Sequence, residues 1–460
     1  MDVAEVVTRA RAAQAAIENW DADRVQDLTT AVAYAVARKD RSEELARLAV
    51  DEAGFGNYAD KVTKIQRRVL GVLSDLRTTK TVGVVEEDPT RGLVKIAKPV
   101  GVVAGLVPTT GPDATPPVKA LFALAGRNAI VFAAHPRSRR TTHAVVGYMR
   151  EACEQVGAPA DLVQVLLEAK IAHTQELMKQ VDLIVATGGA AMVEAAYSSG
   201  TPAFGVGVGN AVHVVDETAD LPDAAAAIAT AKTFDYATSC LADNAVVAHE
   251  TIYDGLVDRL RDLGAHVCSP EEKARLQAIM WPDGAGIPSA AVIAKSATRI
   301  AELAGIGVPD TTRFLVVDED GVGHDHPFSG EKLCVVLALY RYGGSIDAAV
   351  DQVNAIIGYQ GLGHTCGIHT SDPSHVDALA FGTRTARVLV NQNLNEGAGS
   401  VRNGMPFTLS LSCGTWGGGI TTENVNARHF VNLTWVSRPV LHKTVDPETL
   451  FARHVERYGR

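Results

Sequence analysis

From about residue 101 to residue 390, short apolar, β-branched runs alternate with longer stretches whose apolar residues recur at helical spacing. This alternation constrains the fold more than any other feature of the chain. The runs read as strands are 101–107, 129–133 (AIVFA), 162–165, 183–186 (LIVA), 203–208, 211–215, 314–317 and 334–339. Helices read from the spacing include 141–156, 190–198, 224–233 and 346–357. Strand and helix in regular succession are the βαβ signature of a doubly wound parallel sheet. Residues 2–79 carry only helical spacing, with Val6, Ala10, Ala13 and Ile17 on one face. A hairpin around the turn Asp88-Pro89-Thr90-Arg91-Gly92 separates them from the first strand. An edge strand is expected at 430–436. A length of 460 residues suits two or three domains rather than one core.

The formal charge of −10 argues against a nucleic-acid partner, which needs a positive field. No apolar stretch approaches the roughly 20 residues of a spanning helix. The first residues, MDVAEVVTRARAAQ, carry acids and no apolar signal core, so a cytoplasmic protein without membrane partners is the expectation. The six cysteines, Cys153, Cys240, Cys268, Cys334, Cys366 and Cys413, form no CxxC pair. A structural metal and a disulfide framework are therefore not expected, and a cysteine that matters is a thiol nucleophile.

Several positions invite a chemical reading beside an ordinary one. Cys240 sits between an Ala-rich helix and a strand, where a thiol is either presented at a seam or simply buried. Thr187-Gly188-Gly189 joins a strand to a helix, as an anion site at a helix start or as a plain turn. Gly205-Val-Gly-Val-Gly-Asn210 lacks the GxxxxGK[ST] pattern, and close backbone approach explains it better than phosphate binding. His364, in a glycine-rich stretch, is either an accessible base or a hydrogen-bonded structural histidine. Glu331 and Lys332 read on their own as solvated charges.

Nine segments in register then converge: LVPTTGP (106–112), HPR (135–137), ATGG (186–189), GVGVGN (205–210), DETADL (216–221), KTFDYATSC (232–240), HPFSGEKL (326–333), GLGHT (361–365) and SCGTWGGG (412–419). Together they resemble the CoA-acylating branch of the aldehyde dehydrogenases over residues 5–440. The resemblance implies a Rossmann-type cofactor domain (1–79 and 99–229), an α/β catalytic domain (230–425) and small oligomerisation elements (80–98 and 426–460). It implies NAD or NADP as cofactor, a small aldehyde and coenzyme A as substrates, and a homodimer or homotetramer.

Residue by residue, the resemblance makes Cys240 the nucleophile. Thr187, Gly188 and Gly189 become the turn beside the cofactor phosphates, and Glu331 the carboxylate that holds the nicotinamide ribose. Pro108 and Thr109 line the cofactor site. His135 falls where hydrolytic members carry a lysine for the adenosine ribose. Thr110 falls where they carry the oxyanion-hole asparagine. Val206 falls where they carry the glutamate that activates water, so the thioester is expected to await CoA, with His364 assisting the proton transfer. Arg402, in the segment 400–407 ahead of SCGTWGGG, is the expected anchor for an anionic aldehyde. The local wording there is most like members that take sulfoacetaldehyde, ahead of succinate semialdehyde and acetaldehyde. Hydrolytic oxidation to a free acid and an inactive assembly partner are the alternatives.

Overall fold

A strand whose successive residues are all apolar is stable only if both faces are covered. VVAGL, AIVFA and LIVAT are of this kind, and in a computed structural model of the chain, which describes residues 2–284, 286–440 and 445–459, nearly all their residues are buried. The chain opens with helices α1 (Val3–Ile17), α2 (Ala22–Ala37), α3 (Lys39–Ala53) and α4 (Tyr58–Leu76). Asp2, Asp21 and Asn57 start α1, α2 and α4 by accepting a first-turn N–H. A hairpin of β1 (Gly83–Asp88) and β2 (Leu93–Pro99) follows.

Then come β3 (Val102–Leu106), β4 (Ala129–Ala133), β5 (Val163–Val165), β6 (Leu183–Thr187) and β7 (Ala203–Val206). They form one parallel sheet in the order β5-β4-β3-β6-β7, with α1, α2 and α4 in the same hydrophobic core. The order reverses between β3 and β6. In such sheets ligands sit outside the carboxyl ends of the strands at that point.

The second sheet is also parallel. It takes β8 (Ala211–Val215), β9 (Asp243–His249), β10 (Ala265–Val267), β11 (Phe314–Asp318), β12 (Val336–Tyr342), β13 (Cys366–His369) and β14 (Val388–Val390) in the order β10-β11-β12-β9-β8-β13-β14. Because β8 pairs with β9 and β13, the chain crosses between sheets at 207–210. The sequence reading placed the division between domains at 229, within the helix Leu221–Thr233 that follows β8. The strand expected at 334–339 begins at Val336, after a turn in which Leu333 has φ 47°.

Strand β15 (Val431–Ser437) adds antiparallel to β2 to complete a three-stranded sheet. The tail before it returns to the first core: Phe407, Val425, Ala427 and Phe430 are buried there, and the Asn128 side-chain amide donates to the Phe430 carbonyl at 2.7 Å. A last helix, Pro447–Tyr458, has no buried residue. Among the described residues no helix is long and apolar enough to cross a membrane. The predicted C-terminal element (426–460) includes residues 441–444 and 460, which lie outside the described residues.

Candidate active site

The carboxyl ends of β3, β4 and β6 open into a cavity of about 770 Å³ shared with the second sheet. Pro108, Thr109 and Thr110 follow β3, His135 follows β4, and Thr187, Gly188 and Gly189 end β6. All seven line it, together with Cys240, Glu331 and Arg402. Gly189 caps the helix Ala190–Tyr197 without any side-chain cap, and the N–H groups of Ala190 and Ala191 find no partner among the described residues. A methyl group added at Gly189 would meet nothing within 4 Å. An open helix start beside a switch point fits the diphosphate of a nicotinamide dinucleotide. His135 accepts the Arg137 N–H on Nδ1. Burial, and secondarily Arg137, hold its pKa below the ordinary value, so it faces the cavity neutral.

Of the six cysteines, all unpaired, Cys240 is the one not buried. It owes its position to a strained turn. Asp235, Tyr236 and Ala237 have φ of 48°, 51° and 59°, a left-handed run of three non-glycine residues. Each costs roughly 1–2 kcal/mol in that conformation. What holds the run is the Asp235 carboxylate. It accepts Lys61 Nζ at 3.3 Å, Lys64 Nζ at 2.5 Å, the Asn57 N–H at 2.8 Å and the Thr238 hydroxyl at 2.8 Å. Burial alone would raise this carboxyl, but Lys64 and Lys61 outweigh it and hold the pKa below its ordinary value. The same two ammonium groups donate to the Thr110 carbonyl at 3.4 and 3.3 Å. One buried ion cluster on α4 thus registers the cysteine turn against the wall that carries Thr110. Losing one partner of such a cluster costs about 3–5 kcal/mol.

The glycine run is explained by close approach, as the sequence suggests. A Cβ on Gly209 would sit 2.4 Å from the Cys240 carbonyl oxygen and 2.4 Å from Glu331 Oε1. Gly209 instead donates its N–H to Glu331 Oε1 at 3.0 Å. Burial pushes the Glu331 carboxyl up to about 7, with the Gly209 N–H and nearby lysines opposing. Burial likewise pushes the Cys240 thiol up to about 12, with Glu331 and Cys413 adding and Arg387 opposing. The thiol is therefore protonated in the free protein. The Cys240 N–H has no other acceptor among the described residues, and the Thr110 hydroxyl shares the cavity with it. These are the groups available to an oxyanion.

Two expected site residues are placed differently. His364 does not line the cavity. It is fully buried, both ring nitrogens lack partners, and its carbonyl accepts Arg387 at 3.1 Å. Burial, then Arg387, drive its pKa down to about 3. Arg402 lies on the rim, its side chain 71% exposed and 3.9 Å from Glu396. The sequence reading missed Lys64, Arg67 and Arg68, which line the cavity from α4. Alternating basic residues on a helix read as a solvated face, and nothing local marks them otherwise.

A nucleotide crevice and an accessible thiol opening into one cavity are the layout of a dehydrogenase that works through a covalent sulfur intermediate. The comparisons agree. A model of the aldehyde dehydrogenase family matches residues 1–270. Over 463 residues the chain is 42% identical to the acylating sulfoacetaldehyde dehydrogenase of Cupriavidus necator, covering 100% of this chain and 93% of that one. The acetylating aldehyde dehydrogenase of Geobacillus thermoglucosidasius superposes with a TM-score of 0.92 at 36% identity, over 96% of this chain and 98% of that one. A propionaldehyde dehydrogenase of Rhodopseudomonas palustris, solved with bound CoA and an acylated cysteine, does so at 0.85 and 26% identity, over 95% and 97%. This chain belongs to the aldehyde dehydrogenase family, in its acylating branch.

Proposed function

We propose that the protein oxidises sulfoacetaldehyde to its CoA thioester with NAD(P)+ as the electron acceptor. The observation that carries the chemistry is Cys240, a lone accessible thiol facing a cofactor crevice, with apolar Val206 where a hydrolytic enzyme needs a carboxylate. Cys240 releases its proton to solvent and its sulfur bonds to the aldehyde carbon. The Cys240 N–H and the Thr110 hydroxyl receive the oxyanion. Thr187–Gly189 and Glu331 would hold NAD(P)+, which would supply the hydride acceptor there. The CoA sulfur then attacks the thioester carbon, and Cys240 leaves as thiolate and takes up the proton that the CoA thiol gives up. A part for His364 in that proton transfer requires its ring, fully buried and not among the lining residues, to become accessible.

The substrate reading rests on likeness to the sulfoacetaldehyde enzyme and on the basic cavity wall of Arg67, Arg68 and Arg402. With CoA and cofactor saturating, kcat/KM for sulfoacetaldehyde should exceed that for acetaldehyde at least tenfold, the lower bound for a charge-assisted contact. Equal values, or a preference for acetaldehyde, rule the sulfonate out; a preference for succinate semialdehyde leaves the anionic reading and changes the acid.

The working form is a homodimer or homotetramer. Among the described residues the outer edge of β15 is unpaired, with Leu433 and Trp435 of that strand exposed, and the helix Pro447–Tyr458 exposes Leu450, Phe451 and Val455. Bare edges and lone apolar helix faces are normally covered by a partner. Light scattering at micromolar concentration should give a mass of two or four chains. A monomer contradicts this.

A further inference from the structure

We infer that Arg68, on α4, is the residue that holds the anionic tail of the aldehyde. The inference rests on the reading of an anionic substrate and names the group that recognises it.

Arg68 lines the cavity beside Cys240, close enough for the two side chains to interact electrostatically. Its guanidinium is fixed by backbone carbonyls alone: Nη1 donates to Ala398 at 2.7 Å and to Gly399 at 2.8 Å, and Nη2 to Asn395 at 3.0 Å. Carbonyls orient a cation without neutralising it. Of the five guanidinium donors, Nε–H and one Nη2–H stay uncommitted among the described residues. Two donors are what one edge of a sulfonate or carboxylate takes.

The charges nearby do not cancel. Glu396 is the acid at this end: it lies 3.9 Å from Arg402 and acts on Arg68 only at longer range. Among the described residues Arg68 has no carboxylate within ion-pair distance, and Arg67 beside it adds a second positive charge. The cavity wall is left net positive, with its half-buried cation, Arg68, held in place by carbonyls and its exposed one, Arg402, beside Glu396. A mobile rim arginine must be ordered when it binds, whereas a side chain already held at three points loses little freedom.

The test compares wild type with Arg68→Gln, Arg68→Lys and Arg402→Ala. It measures kcat and KM for sulfoacetaldehyde and acetaldehyde at saturating CoA, and inhibition by ethanesulfonate. Arg68→Gln should raise the KM for sulfoacetaldehyde and the inhibition constant of ethanesulfonate about 10- to 100-fold. Acetaldehyde kinetics should change within about threefold, because that substrate never made the contact. Arg68→Lys keeps the charge but not the fork, so it should recover part of the loss. It also stands in should the glutamine variant fail to fold without its carbonyl contacts. Arg402→Ala removes an exposed rim charge from the same wall, so it should raise the KM for sulfoacetaldehyde by less than Arg68→Gln does.

Equal losses on both aldehydes would make Arg68 a structural residue only and overturn the inference. So would a selective sulfoacetaldehyde loss in Arg402→Ala with Arg68→Gln unaffected. If wild type prefers sulfoacetaldehyde and Arg68→Gln retains that preference, Arg68 alone is rejected. If wild type shows no preference and ethanesulfonate does not inhibit, the anionic substrate itself is rejected and Arg68 with it.

Discussion

Cys240→Ser is expected to reduce aldehyde oxidation on the order of 10³-fold or more, because an alcohol is a far weaker nucleophile than a thiol at neutral pH. NAD(P)H formation with CoA present is the measurement. The same substitution at Cys153, Cys268, Cys334, Cys366 or Cys413 should leave most activity, since these five are buried and act as small apolar side chains. The contrast separates chemistry from packing: a buried cysteine made polar costs stability and lowers the yield of folded protein, whereas Cys240→Ser should be folded and inert. The thiol's own titration gives a second readout. With its pKa pushed up to about 12 in the free protein, the thiolate fraction grows with pH throughout the neutral and alkaline range. Alkylation of Cys240 by iodoacetamide should therefore accelerate about tenfold per pH unit from 7 to 9, as for any acid well below its pKa. Normal turnover by Cys240→Ser would remove the covalent mechanism. A rate of alkylation independent of pH would show that the thiol is already ionised.

The strands of the first sheet, and β8, β11 and β12 of the second, were legible because buried parallel strands must be apolar on successive residues, whereas β9, β10, β13 and β14 were given no ranges. AIVFA is a strand over the expected residues, 129–133. Sheet membership was not legible. AVHVV at 211–215 is as apolar as any strand of the first sheet, and only its pairing with β9 and β13 assigns it to the second. The same limit governs the site. Cys240, Thr187 and Glu331 stand in motifs, and the structure brings all three to one cavity. Asp235 and Arg68 are different. One acts through lysines 171 and 174 residues away in sequence, the other through carbonyls more than 320 residues away. No local pattern records such contacts. His364 illustrates the opposite case: its glycine neighbours suggested access, but its ring is fully buried, and Gly363 lies hard against the Cys413 carbonyl.

Without CoA the enzyme should yield one burst of NAD(P)H, at most equal to the number of Cys240 sites, and then stop. The thioester is stable until a nucleophile reaches it, and the attack of water at neutral pH needs a base within hydrogen-bond reach. Val206, at the end of β7 and in the cavity wall, offers none. The carboxylate that acts on the Cys240 thiol is Glu331. Its Oε1 is occupied by the Gly209 N–H, and with a pKa near 7 it is protonated in about half of the molecules at that pH. Holding the cofactor ribose would commit it further. CoA needs less help, because a thiol near pKa 8.5 is several per cent ionised at neutral pH and is intrinsically the stronger nucleophile. Rapid mixing with sulfoacetaldehyde and cofactor should show the burst, mass spectrometry should find the acyl group on Cys240, and added CoA should restart turnover at once. Val206→Glu should convert the stalled enzyme into a slow hydrolase that no longer waits for CoA. Steady CoA-free production of the free acid by wild type would contradict the assignment, and its loss in Glu331→Gln would then identify Glu331 as the base.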